Sequence, residues 1–284
     1  LDENGIPSGI GIAQRRSANK LIEEFMLLAN ETVAEHFYWM ETPFVYRVHE
    51  KPAADKIEQL RIFLKGFGIT LRGNADGIHP KAICSVLDSA KGKPGEDVVN
   101  SVTLRSMQKA FYSTSCEGHF GLALKYYCHF TSPIRRYPDL MIHRIIKQSI
   151  HEGLSDKALK HFRKKAEYAA DQSSIAERKA VEAEREVEKL KKAEYISYHV
   201  GEIFDGVISG VTGFGIYVQL ENTVEGLVRI DELRDDYYDY HKEKYALEGR
   251  RTGNVYRLGD EVRVIVDHVD LEKHEIDFLI AGHL

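Results

Sequence analysis

The sequence is poor in residues that staple a fold or anchor it in a membrane. Its three cysteines, Cys84, Cys116 and Cys128, are odd in number and widely separated. None has the short spacing of a zinc pair or a redox motif, so they read as reduced, chemically indifferent thiols. No apolar run approaches the ~18–20 residues needed to span a bilayer. The opening LDENGIPSGIGI lacks the basic segment and apolar stretch of a secretory leader. Neither a disulfide scaffold nor a membrane span is therefore expected, and a cytoplasmic location is expected. Net positive charge is also lacking: 39 Lys and Arg stand against 44 Asp and Glu, a formal net charge of −5. That excludes a protein that coats nucleic acid by bulk basicity, but not one that contacts phosphates through local arginines. An initiator Met is missing too, and Leu1-Asp2-Glu3-Asn4-Gly5 reads like a strand end and a turn, so a fragment of a longer protein is expected.

What is present suits two domains. The chain has 284 residues, 43% hydrophobic and 29% charged, as in ordinary globular proteins. In SANKLIEEFMLLANETVAEHFYWM (17–40), Leu21, Ile22, Phe25, Leu28, Ala29, Val33 and Phe37 recur at helical spacing, with Ser17 or Asn19 able to cap the start. Further helices are predicted at about 53–66, 98–110 and 138–152. A long, charged helix with a narrow apolar stripe is predicted from Asp156 to about Tyr195. After Tyr198 the pattern changes to about five short strands broken by glycine, so the expected domains are 1–197 and 198–284. The fold class is α+β: a helix-rich part, then an all-β barrel of the OB type.

Barrels of this kind bind single strands by stacking bases on exposed aromatics beside a cation. Phe214 and Tyr217 in VTGFGIYVQL, Phe204 on the preceding strand and Arg229 in GLVRI are the candidates. About half of the strand positions in a small barrel point inward, which leaves each ring open between stacking surface and core. The loop between Leu233 and Arg257 is long and acidic, with Tyr237, Tyr238 and Tyr240, and reads as packing against the neighbouring domain.

The second constellation is YCHFTSPIRRYPDLMIHR (127–144). Ser132-Pro133 is a helix-start signal, although Pro138 could start the helix instead. Either way Arg135 and Arg136 lie in a turn near free backbone N–H groups, with forked donors suited to phosphate oxygens. His129, Tyr137, His143 and Arg144 are close in sequence. On chemistry alone, a phosphate clamp and a turn salt-bridged to acidic helices are equally good readings.

Residues 200–281 resemble the RNA-binding domain of the ribosomal S-one type, through GEIFDGV, GFGIYV, EGLVRI and LGDEVRV, although that family often carries His where Arg229 stands. HFTSPIRRYPDL, with GHFGLAL before it and AERKAVEAEREV after it, resembles the RNase II family of processive 3′→5′ exoribonucleases. YRVHEKP, DDYYDYHKEKY and YRLGDEV point to the ribonuclease R branch. The resemblance implies the C-terminal part of the catalytic RNB domain followed by the barrel. It implies single-stranded RNA as partner, hydrolysis to nucleoside monophosphates, a monomer, and an association with the ribosome or the RNA-decay machinery. By resemblance Arg135 holds a phosphate near the scissile end, with Arg136 acting instead or as well. Glu23 and Glu24 contact ribose near the 3′ end, Glu184 lies near the reacting phosphate, and His129, Ser132, Tyr137 and Arg144 line the RNA path.

The sequence departs from the family in one respect. The family binds magnesium with clustered aspartates, whereas Asp2, Asp55, Asp76, Asp88 and Asp97 are scattered and Asp139 reads as a helix-start residue. No metal ligand is assigned in this chain, and the magnesium acids are expected upstream of Leu1. The cold-shock-like domains and basic tail of ribonuclease R do not occur in the sequence. This chain alone is accordingly expected not to cleave RNA. The rival readings are a non-catalytic single-stranded RNA-binding module and a helical scaffold carrying an OB domain.

Overall fold

The computed structural model describes residues 1–11, 14–93, 95–242 and 245–283. Helix α1 spans Ser17–Trp39. Its start is closed by Asn19, whose Oδ1 accepts the Arg16 N–H at 3.1 Å. Only its C-terminal half is covered: Asn30, Ala34 and Phe37 are buried, while Leu21, Ile22, Phe25 and Leu28 are each 57–60% exposed. Strand β1 (Tyr46–Val48) follows, then α2 (Ala54–Gly66), α3 (Pro80–Ala90) and α4 (Glu96–Arg105). The last stops five residues short of the predicted end, because the chain must turn at Ser106 to become β2 (Phe111–Ser113), which pairs antiparallel with β1.

Helix α5 covers Tyr137–His151, and α6 runs 42 residues over Asp156–Ser197, with the Ser155 hydroxyl accepting the Ala158 N–H at its start. Alanines at 166, 169 and 170 let α5 approach α6 closely, packing Met141, Ile142 and Ile145 against Phe162. The middle of α6 is exposed, and its far end buries Ala193 and Ile196 in a second core.

Beyond Ser197 the chain is mainly strand: β3 (Ile203–Thr212), β4 (Gly215–Leu220), β5 (Glu225–Arg229), β6 (Tyr238–His241), β7 (Ala246–Gly249), β8 (Val255–Arg257), β9 (Glu261–Asp270) and β10 (Glu275–His283). Five of them close a barrel in the order β10-β5-β4-β3-β9, which is the OB-type arrangement expected from the sequence. Closure is tight: a Cβ at Gly215 would collide with the Val228 carbonyl, and one at Gly226 would lie 2.6 Å from the Phe278 ring.

The 233–257 insertion folds as its own sheet, β6-β7-β8. Tyr238, Leu247 and Tyr256 enter the barrel core, and Tyr245 packs edge-on against Phe63 of α2 at 5.3 Å. Its acids are consumed internally, Asp239 by Arg250 at 2.7 Å and Asp236 by the N–H groups of Arg251 and Thr252. Of the DDYYDYHKEKY motif, Glu243 and Lys244 lie outside the described residues. The hydrophobic interior therefore divides unexpectedly. α2, α3 and α4 share one core with the barrel, while α1, β1, β2, α5 and the first half of α6 share the other.

Candidate RNA-binding site

The two arginines of the SPIRR turn have different surroundings. Arg136 is bidentate on Asp139, with Nε at 3.1 and 3.0 Å and Nη2 at 2.7 Å from the carboxylate oxygens. Asp139 is fully buried and also accepts the Ser132 N–H at 2.8 Å. Arg135 is exposed and has no side-chain partner among the described residues. The turn is thus a locked base, Arg136–Asp139, presenting one free guanidinium. The helix begins at Tyr137 with Pro138 in its first turn, the second of the two starts the sequence allowed, and Ser132-Pro133 belongs to the turn before it. One expectation needs correction. The backbone N–H groups are largely engaged: those of Arg135 and Arg136 bond to Ser132 O, and that of Ser132 to Asp139. Anion binding here has to come from the guanidinium.

Asn30, which the sequence reading did not single out, joins α1 to this turn. It is 3% exposed. Its Oδ1 accepts the N–H groups of Phe130 (2.9 Å) and Thr131 (3.2 Å), and its Nδ2 donates to the Tyr127 hydroxyl at 3.3 Å. Residues seven apart lie two helical turns apart on the same face, about 10 Å along the axis. Glu23 therefore shares the face of Asn30, whereas Glu24 is rotated away. Glu23 is ion-paired with Arg15, and Glu24 is exposed without a partner among the described residues.

The same periodicity separates Glu184 from Glu182 and Glu186, although Glu188 shares its face. Glu177 on α6 holds Arg47 at 2.6 Å, and Arg47 also lies over the Tyr112 ring at 4.6 Å. Glu184 is two turns beyond Glu177 on that face. Glu186 points the opposite way, to Lys189 and to His274 of the barrel. Arg47 and Tyr112 were not singled out from the sequence. His129 is not a phosphate cation: its Nδ1 is 2.9 Å from the Tyr112 hydroxyl, and its pKa is pushed down to about 2 by burial first and then by Arg136. His119 is lowered to about 4 by burial and by His49. His143 stacks on Phe130 at 4.5 Å, and the Arg144 guanidinium is 5.9 Å from the Tyr137 ring, which is 43% exposed.

These buried imidazoles carry a pH signature. Unfolded histidine titrates near ~6.5. With folded values lowered to about 4 and about 2, both histidines stay neutral in the folded state where the unfolded chain takes up protons. The stability they supply is complete above pH ~6.5 and declines as pH falls towards 4 and below. The urea midpoint should drop between pH 7 and 4.5, and His129→Gln should flatten that slope. A midpoint independent of pH over this range would contradict the assignment.

On the barrel, Phe214 is 55% exposed and meets Tyr217 edge-on at 6.2 Å. Arg229 pairs in register with Gly215, beside Phe214, and forms an exposed ion pair with Asp277 at 3.2 Å. Phe204 does not join them. It lies eight residues before Thr212, the end of β3, about 25 Å along a strand, and packs near His199 at the end of α6.

Magnesium does not fit the residues present. Among the described residues no group of three or more His, Cys, Asp or Glu could hold a metal ion, and both oxygens of Asp139 are taken. No described helix is long and apolar enough to cross a membrane.

Comparison with known proteins now places the chain. The RNB domain family matches residues 1–152 and the S1 RNA binding domain family matches residues 197–281. The chain belongs to the RNB-domain family, carrying the C-terminal part of that domain joined to an S1 domain. Within it, the chain falls in the ribonuclease R branch. It is 47% identical over 279 residues to ribonuclease R 1 of Lactococcus lactis, covering 98% of this chain and 34% of that protein. It is 40% identical over 277 residues to ribonuclease R of Escherichia coli K12, covering 95% of this chain and 34% of that protein. The apo form of Mycoplasma genitalium RNase R superposes with a TM-score of 0.92 at 32% identity, over 99% of this chain and 44% of that chain. That RNase R has also been solved with ribose methylated single-stranded RNA and with double-stranded RNA. The chain spans about a third of the length of the two curated relatives just named.

Proposed function

We propose that this chain is the RNA-gripping portion of a magnesium-dependent, processive 3′→5′ exoribonuclease that releases nucleoside monophosphates from single-stranded RNA. The observation that carries the reading is the free Arg135 guanidinium on the Arg136–Asp139 base, in a chain of the ribonuclease R branch. Arg135 holds a phosphate near the scissile bond, and Glu184 faces the same region. Glu23 and Glu24 approach the 3′-terminal ribose, where a carboxylate can accept from a 2′-hydroxyl. Phe214, Tyr217 and Arg229 hold RNA farther back. The magnesium ligands belong to acids outside this chain. The exposed apolar face of α1 and the exposed middle of α6 support that division, because a water-facing row of Leu21, Ile22, Phe25 and Leu28 suits further catalytic-domain polypeptide. The domain boundary falls at 197/198, and the protein acts as a cytoplasmic monomer.

The test is cleavage of a 5′-labelled single-stranded RNA by two proteins, this 284-residue chain and the same chain with the upstream residues of its gene. Magnesium-dependent 3′→5′ shortening by the longer protein only is expected. Inactivity of both favours a non-catalytic RNA-binding module, a reading suited to the lack of a metal cluster among the described residues. Cleavage by the 284-residue chain alone overturns the division of labour.

A further inference from the structure

Between the first part and the barrel lies a cleft of about 380 Å³, lined by α2, the end of α4, β3, β4 and the insertion. Two cations face it, Lys56 from α2 and Arg105 from the last turn of α4. Both are exposed, and neither has a hydrogen bond or ion pair among the described residues. The acid on the same wall, Glu225, accepts the Ser209 hydroxyl at 2.5 Å. In a chain of net charge −5, two unpaired cations opposite a single occupied carboxylate form a local positive site. The far wall is aromatic: Tyr217 lines the cleft, and its ring lies over Gly210, where a Cβ would sit 3.3 Å from Cδ2. A larger side chain at Gly210 would press on this ring. Beside the β3–β4 turn, Tyr240 of the insertion approaches Gly213 to 3.7 Å of a Cβ position and is 38% exposed. Phe214, Tyr217 and Tyr240 therefore gather around one turn, and Tyr217 shares the cleft with the two cations.

We infer that this cleft is a binding site for the sugar-phosphate backbone of single-stranded RNA: Lys56 and Arg105 take successive phosphates, and Tyr240 extends the stacking surface of Phe214 and Tyr217. The inference rests on the reading of the barrel as an RNA-binding surface and adds to it partners from α2, α4 and the insertion. Bases stacked on the rings leave their phosphates on the outside of the strand, where the cations stand, and unpaired bases are what exposed rings accept. The adjoining cavity of about 650 Å³ shares Arg105 and Glu225 with this cleft and adds Asp97, Asp205, Glu221 and Glu261, so phosphate is favoured at the Lys56–Arg105 end and repelled beyond Arg105.

The experiment is fluorescence anisotropy of a labelled 20-nucleotide oligouridylate with the 284-residue chain in EDTA, from 50 to 300 mM salt. Each phosphate contact on a single strand contributes about 0.7 to the slope of log K against log salt. Lys56→Ala with Arg105→Ala should lower that slope by roughly 1.4, and Tyr240→Ala should weaken binding without changing it. Lys160→Ala, at an exposed position on α6, should leave both unchanged. The proposal is overturned if the double variant keeps the wild-type slope while Phe214→Ala weakens binding, which would leave the barrel reading intact. It is equally overturned if Lys160→Ala lowers the slope as much as the cleft variants do. Absence of oligouridylate binding by the wild-type chain would defeat the cleft and the barrel reading together.

Discussion

Arg136→Ala is expected to destabilise the chain by about 3–5 kcal/mol, the usual cost of removing one partner from a buried ion pair. The reason lies in Asp139. Its side chain has no exposed surface, and the Arg136 side chain is only 18% exposed. Three of the contacts that satisfy the carboxylate come from this guanidinium, leaving only the Ser132 N–H once it is removed. Arg136→Lys should recover only part of the loss, since a point ammonium cannot fork onto both oxygens. Arg136→Met with Asp139→Leu should recover more, because it removes the stranded charge along with its partner. Urea denaturation of the three variants checks this. A loss below 1 kcal/mol for Arg136→Ala would mean that the pair does not hold the turn.

The parts of this molecule that were legible in the sequence depend on local pattern. Helix α1 follows from its 3.6-residue spacing, α6 from its run of helix formers, and the barrel from alternation broken by glycine. The family-length motif around SPIRR was legible because its order of residues is specific. Three things were not legible, each because it depends on contacts distant in sequence. The apolar spacing of α1 predicts a helix but does not say which turns are covered, and Phe25 and Leu28 are each 60% exposed. The division of labour between Arg135 and Arg136 could not be read from two identical residues in a row. It follows from a carboxylate three positions on, and the i,i+3 spacing of Arg136 and Asp139 was a usable signal. Asn30 offered another, since an amide between Ala29 and Val33 on an apolar stripe must find partners when buried. Those partners, Tyr127, Phe130 and Thr131, are about 100 residues away. The separation of Phe204 from Phe214 and Tyr217 was not legible for the opposite reason. Its residue type and strand suited a stacking surface, but its position at the start of β3 places it against the end of α6.

Arg135→Ala should behave as the converse of Arg136→Ala. Its guanidinium makes no contact within the described residues, so truncation should leave stability within about 0.5 kcal/mol of wild type, as at ordinary surface sites. Its neighbour Ile134 is fully exposed, so the tip of the turn carries no packing to lose. Under the proposed function, the expected loss is in RNA cleavage by the protein that includes the upstream residues. A fixed donor aimed at developing charge on a phosphate is worth roughly 10²–10³ in rate. The base beneath the turn fixes the backbone that carries that donor: Asn30 holds residues 130 and 131, and Asp139 holds Ser132 and Arg136. If Arg135 contacts the phosphate chiefly as charge develops, kcat falls and KM changes little. If it only recruits RNA, KM rises and kcat is kept. Arg135→Lys separates the two further, since a lysine retains attraction for phosphate but loses the forked geometry. Single-turnover cleavage of a 5′-labelled RNA, with urea curves for each variant, gives both quantities. Wild-type kcat and KM in Arg135→Ala would remove this arginine from the site and return the turn to a structural role. A loss of stability equal to that of Arg136→Ala would show instead that the two arginines act as one unit.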